Sequence, residues 1–254
     1  MIDLHTHLLP GVDDGARSGE QAVEVLERMA SGGVTDVCLT PHLLASTLGR
    51  GVPSTHDRAY AALTNPAGEM PRLHRGAEVM LDRPLDGGVA SERTATLGGS
   101  RYMLVEFPRL AVFGAVIQAL GRVIEIGLIP VLAHPERYAC CSVGAVRRWK
   151  ELGAFMQVDA TTLLSLHGRG NRARRLVEEG LADILASDNH GDTRMMTGAG
   201  DLLLEQSGDL QATLLTERNP GAMLADEAVE PVPPFQIRTS CIQRMRGLLE
   251  REDR

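Results

Sequence analysis

Short runs of β-branched and apolar residues alternate along this chain with longer segments whose apolar positions recur at helical spacing. That alternation is the pattern of parallel strands covered by helices. It predicts strands at Ile2–His5, Asp36–Thr40, Leu73–Glu78, Tyr102–Glu106, Ile129–Ala133, Phe155–Asp159 and Asp183–Ala186. Ser18 caps a helix whose apolar positions are Ala22, Val23, Leu26 and Met29, closed by Gly32 and Gly33. Further helices are expected at Val112–Glu125, Val143–Leu152 and Arg172–Glu179. Seven β/α units in one α/β chain favour a barrel, although the periodicity fits an open sheet as well.

No linker interrupts this pattern before Asn219-Pro-Gly, which ends it, and Glu230-Pro-Val-Pro-Pro reads as an extended spacer. Beyond it, Cys241, Ile242, Met245, Leu248 and Leu249 line one face of a short helix. Such a stripe is a docking face onto the chain's own domain or a contact in a homo-oligomer.

Composition removes several classes. With 43% hydrophobic residues in 254, the chain can bury a sizeable core, which excludes disorder and fibres. The 33 acidic and 26 basic side chains leave a net charge of −7 with no Lys/Arg-rich run. That argues against a sequence-independent grip on nucleic acid, while a small basic pocket for one phosphate is still allowed. Cys38, Cys140, Cys141 and Cys241 form no CxxC pair and no disulfide framework, so a reducing compartment is expected. The start, Met1-Ile-Asp-Leu-His, has no basic region followed by an apolar stretch, and no run approaches the ~18 apolar residues of a membrane span. The chain is therefore expected to be cytoplasmic, with no membrane insertion.

The chemistry lies at the strand ends. The first strand runs into His5-Thr-His7, and strand alternation puts both imidazoles on one face, able to ligate one metal. Taken alone, the pair is equally a surface feature. The other strands change that: they lead to His42, Glu78, Glu106, His134, and Asp188 with His190, so six strands end in a potential ligand. In a parallel barrel those ends share the rim where active sites gather. Five of the eight histidines fall there, whereas His56, His74 and His167 read as ordinary surface or structural residues.

Asp13-Asp14-Gly15 adds two carboxylates that turn chemistry would explain equally well. Counting Asp14 gives nine nitrogen and oxygen ligands and no thiolate, which suits two or three carboxylate-bridged divalent ions of Mn, Fe or Zn. Such a cluster lowers the pKa of water and clamps phosphoryl oxygens during in-line displacement. Arg137 follows His134 by three residues and Arg194 follows His190 by four, placing two planar guanidinium groups where they can hold phosphate.

The order His5-Thr-His7, Pro10-Gly-Val-Asp-Asp-Gly15, Thr40-Pro-His42, Gly76-Ala-Glu78, Val105-Glu-Phe107, Ala133-His-Pro-Glu-Arg-Tyr138 and Ala186-Ser-Asp-Asn-His190 resembles the polymerase and histidinol phosphatase (PHP) superfamily. Within it, the chain is similar to the bacterial manganese-dependent protein-tyrosine phosphatases of capsule and exopolysaccharide regulation. The resemblance implies a distorted (β/α)7 TIM-like barrel over residues 1–225, followed by a C-terminal extension of unassigned role at 226–254. It implies that His5, His7, Asp14, His42, Glu78, Glu106, His134, Asp188 and His190 hold three Mn²⁺ ions, with Glu78 a bridge. It also implies that Arg137 and Arg194 bind the phosphate of phosphotyrosine, carried by a partner tyrosine autokinase. His42 or His190 would protonate the leaving phenolate. The stretch 43–72, where loops should shape the substrate entrance, matches no motif.

Three other readings compete. Cys141-Ser-Val-Gly-Ala-Val-Arg147 satisfies the Cys-x5-Arg spacing of thiolate-dependent tyrosine phosphatases, but carries one glycine and reads as a helix start. A small-molecule phosphomonoesterase, with a substrate like histidinol phosphate, would share the barrel and the metals. A non-catalytic, metal-stabilised scaffold would retain the fold without turnover.

Overall fold

The structure, a computed structural model, describes residues 1–63, 70–88 and 92–240. Its strands are β1 (Ile2–Thr6), β2 (Asp36–Leu39), β3 (His42–Leu44), β4 (Arg72–Arg75), β5 (Glu78–Met80), β6 (Tyr102–Glu106), β7 (Ile129–Ala133), β8 (Phe155–Asp159) and β9 (Ile184–Ala186). They form two sheets, in the orders β1-β2-β4 and β3-β5-β6-β7-β8-β9. Every pairing between them is parallel, so the C-terminal ends of the strands face one way. This is a mixed α/β fold with parallel sheets.

The expected strand over Leu73–Glu78 is two strands in fact, and the sequence reading missed β3. Both breaks have local causes. Pro41, between β2 and β3, has no amide to donate to the ladder. At Gly76, between β4 and β5, a Cβ would stand 2.8 Å from Cys38 Sγ and 3.1 Å from Thr40 Cγ2, so only glycine admits this approach of the two chains. The seven predicted runs thus survive as β1, β2 with β3, β4 with β5, β6, β7, β8 and β9. Beyond the end of β1, Thr6 forms an isolated parallel bridge with Asn189, just after β9.

Successive strand residues point to two different apolar environments. Leu4, Cys38, Leu104, Val131, Ala133 and Ile184 belong to one buried cluster. Their neighbours Val37, Leu39, Val105, Leu132 and Leu185 belong to the larger core that meets the helices. Burial on both faces is why these strands read as continuous apolar runs.

The helices expected from periodicity are α1 (Gly19–Ser31), α4 (Phe113–Glu125), α5 (Val143–Leu152) and α7 (Gly168–Glu178); α2 (Ala45–Leu48), α3 (Ser54–Leu63) and α6 (Ala160–Leu163) were not anticipated. The Ser18 hydroxyl accepts the Gln21 amide as expected of a cap, and α1 buries Ala22, Val25, Leu26 and Met29, so Val25 takes the core position expected of Val23. The chain after β9 differs most. Asn219-Pro-Gly does not end the regular pattern: α8 (Thr197–Glu205), α9 (Asp209–Thr213), a π-helical turn over Leu214–Arg218 and α10 (Asn219–Leu224) follow. Pro220 sits in the first turn of α10, where a missing N–H is tolerated.

Glu230-Pro-Val-Pro-Pro is extended but not a free spacer. Asn219 brackets Glu230 through its amide and carbonyl at 3.0 Å each, and Val232 and Ile237 are buried. The expected helix carrying Cys241, Ile242, Met245, Leu248 and Leu249 lies outside the described residues. No helix among the described residues is long and apolar enough to cross a membrane.

Candidate metal centre

The site is built around β1, whose alternation brings His5 and His7 to one side. His5 Nδ1 lies 2.9 Å from Gln157 Oε1 on β8, and His7 Nδ1 lies 2.7 Å from Asp13 Oδ2. Each acceptor takes an Nδ1–H and leaves Nε2 as a lone pair. The two Nε2 atoms face each other at 3.1 Å, close enough to share one cation between them. Asp13 is placed by the turn that precedes α1: the Ala16 amide donates to His7 O at 2.8 Å, and a Cβ on Gly15 would stand 1.9 Å from that same oxygen. Any other residue than glycine there would push the loop off β1.

Glu78, at the start of β5, is the centre of the cluster. Its Oε1 lies 2.8 Å from His134 Nε2, and its Oε2 lies 3.0 Å from His42 Nδ1 and 3.3 Å from both His5 Nε2 and His7 Nε2. Asp188 Oδ1 is 3.2 Å from His5 Nε2 and 3.3 Å from His7 Nε2. Glu106 Oε1 is 3.2 Å from His42 Nδ1, and Asp14 Oδ1 is 3.4 Å from His42 Nε2 and 3.7 Å from His190 Nε2. The eight residues singled out at strand ends, together with Asp14, therefore come together in four overlapping groups: His5, Glu78 and His134; His5, His7 and Asp188; His42, Glu78 and Glu106; His7, Asp14, His42 and His190.

These residues fit divalent metal ions. Glu78 is fully buried, yet its Oε2 finds no well-aligned hydrogen-bond donor, and His134 Nδ1 is also unsatisfied. A buried carboxylate oxygen directed at three imidazole nitrogens is the donor chemistry of a bridging ligand. The field runs the same way. Burial opposes charge on His7, but Asp13, Asp188 and Glu78 outweigh it and raise its pKa well above the ordinary range. Burial likewise opposes charge on His42, where Glu106 and Glu78 prevail and lift its pKa to about 10. Against the same burial penalty, His5, His7 and Arg137 hold Asp188 far below the usual carboxylate range.

Two residues of the cluster also sit in unusual backbone. His134 (φ +33°) and Asp188 (φ +50°) occupy the left-handed region that favours glycine. Strained backbone of this kind persists where surrounding contacts over-determine it, and it concentrates at functional sites.

The cluster opens into a cleft of about 210 Å³ whose wall includes Asp14, His42, Glu106, His134, Arg109 and Arg137. Arg137 Nη2 contacts both Asp159 and Asp188. Arg194 is held differently: its Nε donates to Asp192 at 2.8 Å, its Nη1 is 3.5 Å from Asp188, and it does not line the cleft. Sequence reasoning missed Arg109, although it follows Glu106 by the same three residues that separate Arg137 from His134. Gln157 and Asp159, which orient His5 and Arg137, were missed as well, and Asp13, offered only as one of two carboxylates in the turn, orients His7. Of the histidines set aside as ordinary, His74 pairs with Asp36 at 2.8 Å.

Two consequences can be measured. Asp13→Asn keeps an acceptor for His7 but removes the charge, and is expected to weaken metal binding by about 10–100-fold, read by isothermal titration of the stripped protein. Glu136, fully buried, has its carboxyl pushed up to about 8, first by burial and then by the Asp159 charge. A folded-state pKa raised in this way stabilises the protein in acid, and that contribution is lost as pH rises from the ordinary carboxyl range to about 8. Glu136→Gln, fixed neutral, is expected to leave Tm unchanged near pH 4 and raise it by roughly 4 °C at pH 9.

The thiolate alternative finds no support in this geometry. Burial, and then the Glu136 charge, push the Cys141 thiol up to about 12. The next residue, Ser142, caps α5, and Arg147 pairs with Glu179 at 2.7 Å on the surface, so the two ends of the Cys-x5-Arg spacing do not converge.

Residues 1–225 match the family model for capsular polysaccharide synthesis, CpsB/CapC. The chain belongs to the CpsB/CapC family. Similar members include CapC of Staphylococcus aureus, 29% identical over 201 residues (76% of this chain, 78% of that one). The tyrosine-protein phosphatase CpsB of Streptococcus pneumoniae is 26% identical over 248 residues (90% of this chain, all of that one). Among solved structures, the metal-dependent tyrosine phosphatases YwqE of Bacillus subtilis and CpsB of Streptococcus pneumoniae match with a TM-score of 0.74 at 24% identity, covering 94% of this chain and 100% of the other. Outside the family, the fold is also similar to the phosphotriesterase of Mycobacterium tuberculosis, with a TM-score of 0.51 at 15% identity, covering 81% and 84%.

Proposed function

We propose that this CpsB/CapC chain is a metal-dependent protein-tyrosine phosphatase. The observation that carries the reading is the buried Glu78 carboxylate facing four histidines beneath a cleft walled by Arg109 and Arg137. Relatives named tyrosine-protein phosphatases support the choice of substrate. The ligands are His5, His7, Asp14, His42, Glu78, Glu106, His134, Asp188 and His190, and they hold two or three divalent ions, Mn²⁺ first, with Fe or Zn as alternatives. The fold is a distorted (β/α)7 barrel over 1–225, an architecture supported by the Thr6–Asn189 bridge and by apolar burial on both faces of the strands. The substrate is phosphotyrosine on a partner tyrosine autokinase in the cytoplasm.

Bound divalent ions would lower the pKa of water and neutralise charge on phosphoryl oxygens. The chain's own residues do the rest. Arg137 makes both of its carboxylate contacts through Nη2, so its remaining N–H groups are available to a phosphoryl group in the cleft. Arg109 shares that wall, and Arg194 approaches the same Asp188 oxygen that Arg137 contacts. His190 donates Nδ1–H to Asp188 O at 2.9 Å, which leaves Nε2 directed at Asp14 and the cleft. Phenolate is a good leaving group, so its departure does not depend on a dedicated acid.

The test is phosphate release from a phosphotyrosine peptide before and after EDTA treatment and after Mn²⁺ replacement. Activity is expected to disappear with EDTA, return with Mn²⁺, vanish in His5→Ala and persist in Cys141→Ser. Activity that survives stripping overturns the reading, as does hydrolysis of histidinol phosphate without hydrolysis of the peptide.

A further inference from the structure

We infer that the rim beside the metal centre carries a second, cationic subsite, which binds an anionic group of the substrate peptide flanking the phosphotyrosine. The inference rests on the phosphatase reading above and goes beyond it to what the enzyme recognises around its target.

The subsite is a hollow of about 720 Å³ lined by Thr162, Ser165, His167, Gly168, Arg169 and Arg172. No carboxylate lines it, in a chain whose net charge is −7. Its two arginines are unlike their neighbours on α7: Arg174 bonds the Leu163 carbonyl at 2.9 Å and Arg175 pairs with Glu179 at 2.6 Å. No ion pair holds Arg169 or Arg172 among the described residues. The Nε of Arg172 is moreover buried without a hydrogen-bond partner. Two arginines without carboxylate partners, an imidazole and two hydroxyls around one hollow are the chemistry of an anion site.

Position ties the hollow to the reaction. Asp159, at the end of β8, accepts the Thr161 and Thr162 amides through Oδ1 at 2.8 and 2.9 Å, while its Oδ2 takes Arg137. Thr162 lines the hollow and Arg137 lines the metal cleft, so one carboxylate is bonded to a lining residue of each. A peptide chain seated with its phosphotyrosine in the cleft would reach the hollow by crossing Asp159.

The subsite is also preformed. Arg174, itself buried, clamps the carbonyls of Leu163 and Ser165, which fixes the loop carrying Ser165 and His167. At Gly170 a Cβ would stand 1.8 Å from Ser165 O, so the loop is pressed directly onto the start of α7. Binding there orders little that is not already ordered.

The full-length, Mn²⁺-loaded protein can be tested with fluorescein-labelled peptides carrying one phosphotyrosine flanked by Asp and Glu, by Asn and Gln, or by a second phosphotyrosine. Dissociation constants come from fluorescence anisotropy, and kcat and KM from phosphate release. Anionic flanks are expected to tighten binding and lower KM by about tenfold relative to amide flanks, with kcat unchanged. The Arg169→Ala/Arg172→Ala variant should erase that preference, while its turnover of 4-nitrophenyl phosphate and of the amide-flanked peptide stays at the wild-type level. Whether Asp/Glu or only phosphotyrosine gives the preference assigns the flanking group as carboxylate or phosphate. Turnover of all three peptides with equal Kd and KM overturns the subsite and leaves the phosphatase intact, as does a preference that survives the double variant. Peptides that are neither bound nor hydrolysed overturn both.

Discussion

Replacing Glu78 with glutamine is expected to lower kcat/KM for a phosphotyrosine peptide by about a thousand-fold or more. The size follows from position. One Glu78 oxygen faces His134 and the other faces His5, His7 and His42, so the carboxylate belongs to two of the four ligand groups at once. An amide presents one neutral oxygen and one N–H donor. The N–H would point at the imidazole nitrogens that the carboxylate oxygen now faces, and the buried negative charge would be gone. The same variant should retain fewer metal ions per chain than the wild type, measured by inductively coupled plasma mass spectrometry after gel filtration. Normal metal content with normal turnover would remove Glu78 from the centre of the site.

Arg137→Ala is expected to cost both stability and activity. Its guanidinium meets Asp159 and Asp188, both carboxylates almost wholly buried, and is itself largely enclosed. Removing one partner of a buried ion pair leaves uncompensated charge, a loss of about 3–5 kcal/mol, read by urea denaturation of the metal-free protein. Activity should fall by about 10²–10³-fold from the loss of a preorganised donor to the phosphoryl group. Arg137→Lys is expected to recover part of the stability but little of the activity, because an ammonium cannot present a planar fork to phosphate while also spanning two carboxylates.

Which parts of this molecule were legible in the sequence follows from the range of the signal. Strand ends were legible because alternation in a parallel strand is local: His5 with His7, and His134 after β7, need nothing beyond their own segments. Side chains that orient the ligands were not, since Gln157 meets His5 across 152 residues. Its only trace is a polar residue among apolar ones in Phe155-Met-Gln-Val-Asp159. Asp13 and Asp14 were indistinguishable as neighbours in a turn. The folded loop separates them, turning Asp13 onto His7 and leaving Asp14 exposed beside His42 and His190. The start of α7 was missed because Gly168 and Gly170 weaken helical propensity, and Gly170 is there for the close approach of Ser165. Arg109 alone could have been found by the rule already applied to Arg137.

Gln157 also determines when the site comes into existence. Its Oε1 accepts from His5 Nδ1 and, at 3.1 Å, from the His134 backbone amide, so a single atom sets the tautomer of one ligand and the placement of another. During synthesis the first strand leaves the ribosome long before β8 is made, and until then His5 has nothing to fix its ring. A chain that ends before β8 therefore lacks the one acceptor that holds both His5 and the His134 backbone, and with it the assembled cluster.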